Sequence, residues 1–136
     1  MKLGIDGAGR DDYAAKHIIG AANSQAEHLY TKTGGSLDDG LELVTYPMTL
    51  DYHMRYMPWD DVLSKARSLG YKSHQTSTCG LHVHIPREAF GDTHIEQECA
   101  IARLLYFVEK FWTELLRFSR RTESQLNRWA VRYVMK

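Results

Sequence analysis

The stretch Cys79-Gly80-Leu81-His82-Val83-His84-Ile85 alternates apolar residues with two histidines, which is the period of a β-strand with one polar face. In a strand, this spacing places the imidazoles of His82 and His84 on one face and the three aliphatic side chains on the other. Two imidazoles presented in this way are a common means of holding one divalent metal ion. The alternative is a pair of ordinary histidines on a half-exposed sheet face.

The composition is typical of one soluble globular domain. The chain has 136 residues, of which 43% are hydrophobic and 25% are charged, and its formal net charge is zero. Its two cysteines are too few for a disulfide framework. We find no signal peptide and no apolar run of membrane-spanning length, so we expect a cytoplasmic protein.

Positive charge is concentrated at the C-terminal end of the sequence. The last twenty residues contain six basic side chains against the single acid Glu123. The basic residues are Arg117, Arg120, Arg121, Arg128, Arg132 and Lys136. This distribution suits an acidic partner, either nucleic acid or an acidic protein surface. The alternative, which we favour, is the solvated face of a terminal helix.

Apolar periodicity and turn residues predict four strands and four helices. The strands are expected at residues 2–5, 28–33, 41–46 and 77–85, and the second and third form a hairpin around a loop rich in glycine and aspartate. The helices are expected at 11–22, at 49–70 with a restart at Pro58, at 95–118 and at 122–135. Short strands mixed with helices indicate an α+β fold, with a mostly antiparallel sheet and helices packed on one face.

The longest predicted helix carries an apolar stripe. Within residues 95–118, apolar side chains recur at spacings of three and four residues. The stripe contains Ile95, Cys99, Ala102, Leu105, Val108, Trp112 and Leu115. We interpret this stripe as core rather than as a cofactor site, and we therefore expect Cys99 to be buried.

A third candidate ligand shares the polar face with the two histidines. Glu42 lies between Leu41 and Leu43, so in a strand its carboxylate points away from the helical layer. Two imidazoles and one carboxylate suit either a zinc site with an open position or a Mg²⁺ or Mn²⁺ nucleotide site. Cys79 or His74 could supply a fourth ligand, and thiolate together with imidazole would favour zinc.

Five segments between residues 28 and 130 carry further motifs. They are Tyr30-Thr31-Lys32-Thr33-Gly34-Gly35-Ser36-Leu37, Gly40-Leu41-Glu42-Leu43-Val44-Thr45, Pro47-Met48-Thr49-Leu50, Thr78-Cys79-Gly80-Leu81-His82-Val83-His84 and Phe118-Ser119-Arg120-Arg121. In order and spacing, these segments resemble the amidoligase family, which is common in phages and mobile elements and is related to glutamine synthetase and glutamate–cysteine ligase.

The resemblance implies a fold and a set of residue roles. The implied activity joins a carboxylate to an amine with ATP and a divalent metal ion, and the implied fold is a curved antiparallel sheet like the catalytic core of glutamine synthetase. By this resemblance, Glu42 would be a metal ligand, and His82 and His84 would lie at the metal or nucleotide site. Arg120 or Arg121 would contact phosphate.

Three features of the family pattern are missing from this sequence. The family opens with a strand that carries Glu-x-Glu, whereas this chain begins Met1-Lys2-Leu3-Gly4-Ile5-Asp6, with a single acid. Gly34 stands where the family usually has aspartate. The family also continues past the Arg120-Arg121 region with a further strand of metal and phosphate ligands. We therefore expect a family core cut at both ends. Only one secure carboxylate would then remain to hold the metal ion that neutralises a bound triphosphate.

These observations predict a non-catalytic metal-binding module that holds zinc through His82, His84 and neighbouring ligands. We expect the module to act by protein binding, as an inhibitor of a host defence system such as an anti-CRISPR protein, with a host nuclease as the partner. Arg120 and Arg121 are candidate partner-binding residues. Direct nucleic-acid binding is not favoured, no membrane contact is expected, and an open sheet edge favours homodimer pairing.

Two enzymatic alternatives remain open at this stage. One is an ATP- and Mg²⁺-dependent carboxylate–amine ligase that is completed by a dimer or by a second chain. The other is a zinc hydrolase with Glu42 as the base, which needs a third histidine or carboxylate on the open face.

Overall fold

The computed structural model describes residues 1–7, 9, 11–33, 37, 40–73, 76 and 78–120. The chain forms two compact units, Met1–His84 and Ile85–Lys136. The first unit contains a sheet and three helices, and the described part of the second contains a 3₁₀ turn and two helices. The boundary between the units directly follows the second of the paired histidines.

The first unit follows the order β1-α1-β2-β3-α2-α3-β4. Its strands are β1 (Lys2–Asp6), β2 (Leu29–Thr33), β3 (Gly40–Thr45) and β4 (Leu81–His82). Its helices are α1 (Asp11–Ala22), α2 (Leu50–Arg55) and α3 (Trp59–Ser68). The first three strands and the first helix lie where the sequence predicts them, and the helical stretch predicted at 49–70 is divided at Pro58.

Local signals in the sequence set the helix ends. The hydroxyl of Thr49 accepts a hydrogen bond from the N–H of Tyr52 and caps α2. Asp11 and Asp12 place negative charge in the first turn of α1, where the helix dipole favours it. Gly70 follows α3 with a left-handed φ of 87°, a conformation that glycine adopts without strain.

The sheet has four strands in the order β2-β3-β1-β4, and every neighbouring pair is antiparallel. The central strands β1 and β3 pair from Lys2↔Val44 to Asp6↔Gly40. Because helices connect β1 to β2 and β3 to β4, this is the double split β-α-β topology of ferredoxin-like folds. The predicted α+β class with an antiparallel sheet is confirmed, and this topology by itself implies no function.

One face of the sheet packs against α1 and α3. The register places Leu3 opposite Leu43 and Ile5 opposite Leu41, so these four side chains share a face. The buried layer is completed by Ala14, Ile18, Ala22, Leu29, Met57, Val62, Ala66 and Tyr71. The helices therefore cover one face of the sheet, as predicted, and the opposite face carries mostly polar side chains together with the buried Val44.

The fourth strand is much shorter than predicted. The alternation at residues 77–85 predicts one continuous strand, but only Leu81–His82 form β4. Its ladder ends where β1 begins, at Lys2, which pairs with His82. Beyond His82, β1 offers no further residue to pair with, and towards its other end Asp6 of β1 pairs with Lys72 instead. The pairing partners of β1, which the local alternation does not reveal, therefore limit the strand.

The aliphatic side chains near β4 are exposed rather than buried. Leu81 pairs with Leu3 and so lies on the helix-bearing side of the sheet, yet it is 60% exposed. Val83 and Ile85 are exposed as well. Although their spacing places these three side chains on the face opposite to the histidines, they do not join the buried layer, because β4 is an edge strand outside the core formed by β1, β3, α1 and α3.

The second unit begins with a 3₁₀ turn, Arg87–Phe90, followed by α4 (His94–Lys110) and α5 (Trp112–Ser119). The single helix predicted at 95–118 is therefore divided at Phe111. None of the side chains described in α4 and α5 is buried, and Cys99 is exposed, so the expectation that this stripe is core is wrong. Neither helix, nor any other in the described ranges, is long and apolar enough to cross a membrane.

Several predicted features lie outside the described residues. The helix predicted at 122–135 is one of them, together with most of the glycine-rich loop that precedes β3. The candidate ligand His74 and the candidate phosphate contact Arg121 also lie outside this set. The predictions made for these residues stay predictions.

Substitutions of two leucines on the same sheet face should show the difference in stability between a buried and an exposed position. Leu43 is 1% exposed, whereas Leu81 is 60% exposed. We expect Leu43→Ala to lower the free energy of unfolding by about 2–5 kcal/mol, because it leaves a cavity in the core. The matched control Leu81→Ala should stay within about 0.5 kcal/mol of the parent protein. Urea denaturation measures both values, and equal losses would contradict the assigned core.

Candidate functional site

The polar face of the sheet carries residues that the sequence singles out. Lys2 lies opposite His82 on β4, and Gly4 lies opposite Glu42 on β3. Residues paired across antiparallel strands project from the same face, and so do residues two apart on one strand. Glu42 and His82 therefore share the face opposite to the helical layer, as their spacing predicts.

Glu42 is held in an ion pair on this face. Its Oε2 lies 2.8 Å from the Nζ of Lys2 on the neighbouring strand, and both side chains are half-buried. The pair neutralises the carboxylate and occupies one of its oxygens. Lys32, directly opposite Glu42 on β2, places a second cation on the same face. A metal ion bound by Glu42 would have to displace Lys2.

His82 and His84 form a pair of nearly parallel rings. The ring centroids are 6.3 Å apart and the planes are inclined by 13°. The two side chains project to the same side, as the spacing of i and i+2 predicts. Both are exposed, and neither imidazole has a hydrogen bond or ion pair with any residue that the structure describes. Imidazoles in this state can bind a metal ion or an acidic group.

Cys79 faces the interior. Its side chain is buried, and its thiol donates a weak hydrogen bond to the carbonyl of Lys72 over 3.7 Å. The Cys79 backbone N–H donates to Oγ1 of Thr76. Gly4 packs closely on the same segment, since a Cβ at this position would lie 3.3 Å from the Cα of Cys79. The thiol thus contributes to the packing of this segment on β1.

The structure brings together only part of the predicted ligand set. Across the described ranges, no three His, Cys, Asp or Glu side chains are grouped so that they could hold a metal ion. Glu42 lies two strands away from His82, and Lys2 stands on the strand between them. The histidine pair is therefore separate from the carboxylate, and His74 lies outside the described residues.

Arg120 ends α5 in the second unit. It adopts a left-handed conformation with a φ of 54°, a position that glycine or asparagine more often occupies. Its backbone N–H donates to the carbonyl of Arg117, and its side chain is exposed. Its predicted role in phosphate or partner binding stays a prediction.

A further titratable residue, His53, lies in an aromatic contact that sequence reasoning missed. Its ring stacks on Trp59, with centroids 5.9 Å apart and planes inclined by 14°. Its Nδ1 is buried and has no hydrogen-bond partner among the described residues. Burial, followed by the positive charge of the Met1 ammonium group, lowers the pKa of His53. No local pattern signals this contact, because the two rings belong to different helices that meet only through the turn at Pro58.

No family model, curated protein or solved structure matches this chain. The resemblance to the amidoligase family therefore rests on its sequence motifs alone. The glutamine synthetase-like core that the resemblance implies stays a prediction beyond the α+β class and the antiparallel sheet.

The lowered pKa of His53 predicts that the protein loses stability as the pH falls. The unfolded chain binds a proton at this residue near the ordinary pKa of about 6.5, whereas the folded chain binds it only at lower pH. The contribution of His53 to stability is complete above about pH 6.5 and is lost progressively below it. We expect His53→Phe, which can still stack on Trp59, to reduce the fall in melting temperature between about pH 7.5 and about pH 5.5. An unchanged slope in the variant would contradict this assignment.

Proposed function

We propose that this chain is a non-catalytic, zinc-binding module that acts by binding a protein partner. The observation that carries the proposal is the pair of exposed, nearly parallel imidazoles of His82 and His84. Imidazole is a preferred ligand of zinc, whereas Mg²⁺ is bound mainly by carboxylates and phosphates. Two nitrogens supply half of a tetrahedral site, and we propose His74 and Cys79 as the remaining ligands. The Cys79 thiol would then exchange its contact with Lys72 for the metal.

The surroundings of Glu42 support a role without catalysis. A ligase that uses ATP must hold Mg²⁺ and the triphosphate with carboxylates and cations in a fixed geometry. Glu42 is instead neutralised by Lys2, 2.8 Å away, so a metal ion at this carboxylate would compete with an existing ion pair. The ligase is the competing function, and the experiment must separate the two.

The identity of the partner is proposed from the resemblance and not from the geometry. The amidoligase family is common in phages and mobile elements, where small proteins act on host systems. An inhibitor of a host defence system, such as an anti-CRISPR protein that binds a host nuclease, is the specific role that we propose for this module.

Zinc content of the purified protein tests the proposal. By native mass spectrometry we expect about one zinc ion per chain, and we expect chelation to remove it and to lower the melting temperature. His82→Ala/His84→Ala should lack zinc and should melt at the temperature of the chelated parent. The matched control His17→Ala/His94→Ala removes two histidines from helices and should keep the metal.

Three other outcomes of these measurements would contradict the proposal. Stabilisation by ATP together with Mg²⁺, without zinc, would overturn it in favour of the ligase. Zinc retained by the His82→Ala/His84→Ala variant would show that these histidines are not the ligands. No metal under any condition would leave the pair as ordinary surface residues.

A further inference from the structure

The first unit contains a cavity of about 280 Å³ between α3, strand β1 and the segment that follows α3. Its apolar wall consists of Ile5, Leu63, Ala66 and Tyr71. Ile5, Ala66 and Tyr71 are buried, whereas Leu63 is 38% exposed, so the cavity extends from the surface to the core. An apolar cavity of about 150 Å³ holds a benzene ring, so this one has room for a larger apolar group.

The segment after α3 forms one wall of the cavity and is fixed in place. Gly70 ends α3 in a left-handed conformation, and the next residues run beside β1. The N–H of Lys72 donates to the carbonyl of Asp6 over 2.8 Å, and the N–H of Asp6 donates back over 2.7 Å. The Tyr71 hydroxyl donates to Oδ1 of Asp11 over 2.6 Å. The wall is therefore formed before a ligand arrives, which lowers the entropic cost of binding.

Two polar side chains lie at the mouth of the cavity. Arg67 and Ser73 line it, and both are exposed. Arg67 follows Leu63 by four residues on α3, so the two side chains lie on the same flank of the helix. The methylene groups of an arginine can pack on an apolar wall while its guanidinium stays in water. The guanidinium and the hydroxyl can both donate hydrogen bonds to a ligand.

The charge of the cavity is positive. Among the described residues that line it, none is acidic, and Arg67 forms no ion pair with any described residue. Lys72 also lines the cavity, but it pairs with Asp6, so its side chain projects with that of Asp6 towards the polar face. An unpaired guanidinium beside an apolar wall favours a ligand with an apolar body and a negatively charged end.

We propose that this cavity binds a small amphipathic carboxylate. Its apolar chain would pack against Ile5, Leu63 and Ala66, and its carboxylate would accept hydrogen bonds from Arg67 and Ser73. This inference goes beyond the proposed function, because Ile5 lies on the helix-bearing side of the sheet whereas the histidine pair projects from the opposite face. Binding of the carboxylate therefore needs no metal ion.

Titration of the full chain with two eight-carbon amphiphiles tests the inference. Octanoate and octylammonium have the same apolar chain and opposite charges. By NMR of the methyl groups of Ile5 and Leu63, we expect octanoate to give saturable shifts with a Kd of about 1 mM or below. We expect octylammonium to bind at least about fivefold more weakly.

A charge reversal at the mouth provides a second measurement. Arg67→Glu should weaken octanoate binding by about fivefold or more and should make octylammonium the preferred ligand. Its matched control is Lys65→Glu, which makes the same change of charge in the same last turn of α3. Lys65 lines a different groove, next to Ala21 of α1, so this variant should bind octanoate like the parent.

A larger side chain at the mouth provides a third measurement. Leu63→Trp should occupy the entrance and abolish the saturable shift of the Ile5 methyl groups. Because Leu63 is partly exposed, its circular dichroism should match that of the parent.

Three results would overturn the inference. The first is the absence of saturable shifts with octanoate up to about 10 mM, a range that covers the expected Kd. The second is equal binding of octanoate and octylammonium, which would show a site that reads only the apolar chain. The third is an equal loss of octanoate binding in Arg67→Glu and Lys65→Glu, which would show an effect of overall charge rather than a contact at the cavity.

Discussion

The apolar layer between the sheet and helices α1 and α3 is the constraint on which the first unit depends. Ile5 and Leu43 from the central strands pack in the same cluster as Ile18 and Val62 from the helices, and all four are almost completely buried. Full burial of such a side chain contributes about 1.5–3 kcal/mol. A shift of one residue in register would turn these side chains to the polar face, so the layer also sets which residues share that face.

The same layer explains which elements could be predicted from the sequence. Strands β1, β2 and β3 and helix α1 carry the periodicity that a buried face imposes, and their ends carry turn or capping residues. Cys99 shows the limit of this reasoning, because it lies on the apolar stripe of α4 and is nevertheless exposed. Whether other parts of the protein pack on such a stripe depends on segments that are distant in the sequence, and a local pattern does not reveal them. The length of β4 was missed for a similar reason, because the residues with which β1 pairs limit it at both ends.

For the candidate site, alternation predicted which residues share a face but not which residues are neighbours on it. Glu42 and His82 do share the polar face, yet the strand order β3-β1-β4 places Lys2 between them. Strand order is a property of the whole fold, so the ion pair at Glu42 had no signal in the sequence around it. The result is a polar face divided into a neutralised carboxylate and a separate pair of imidazoles.

The attachment of β4 determines how firmly that pair is presented. Two residue pairs and the hydrogen bond from the Gly4 N–H to the Gly80 carbonyl hold the strand to β1, while Leu81 and His82 themselves are exposed, so separation of these two residues from the sheet costs less free energy than unfolding of the core. A ligand that needs His82 and His84 side by side binds only the fraction of molecules in which the strand is attached, and its apparent affinity falls by that fraction. Such a ligand would in turn slow hydrogen exchange at the β4 amides. Order at the sheet edge and occupancy of the histidine pair are therefore thermodynamically linked.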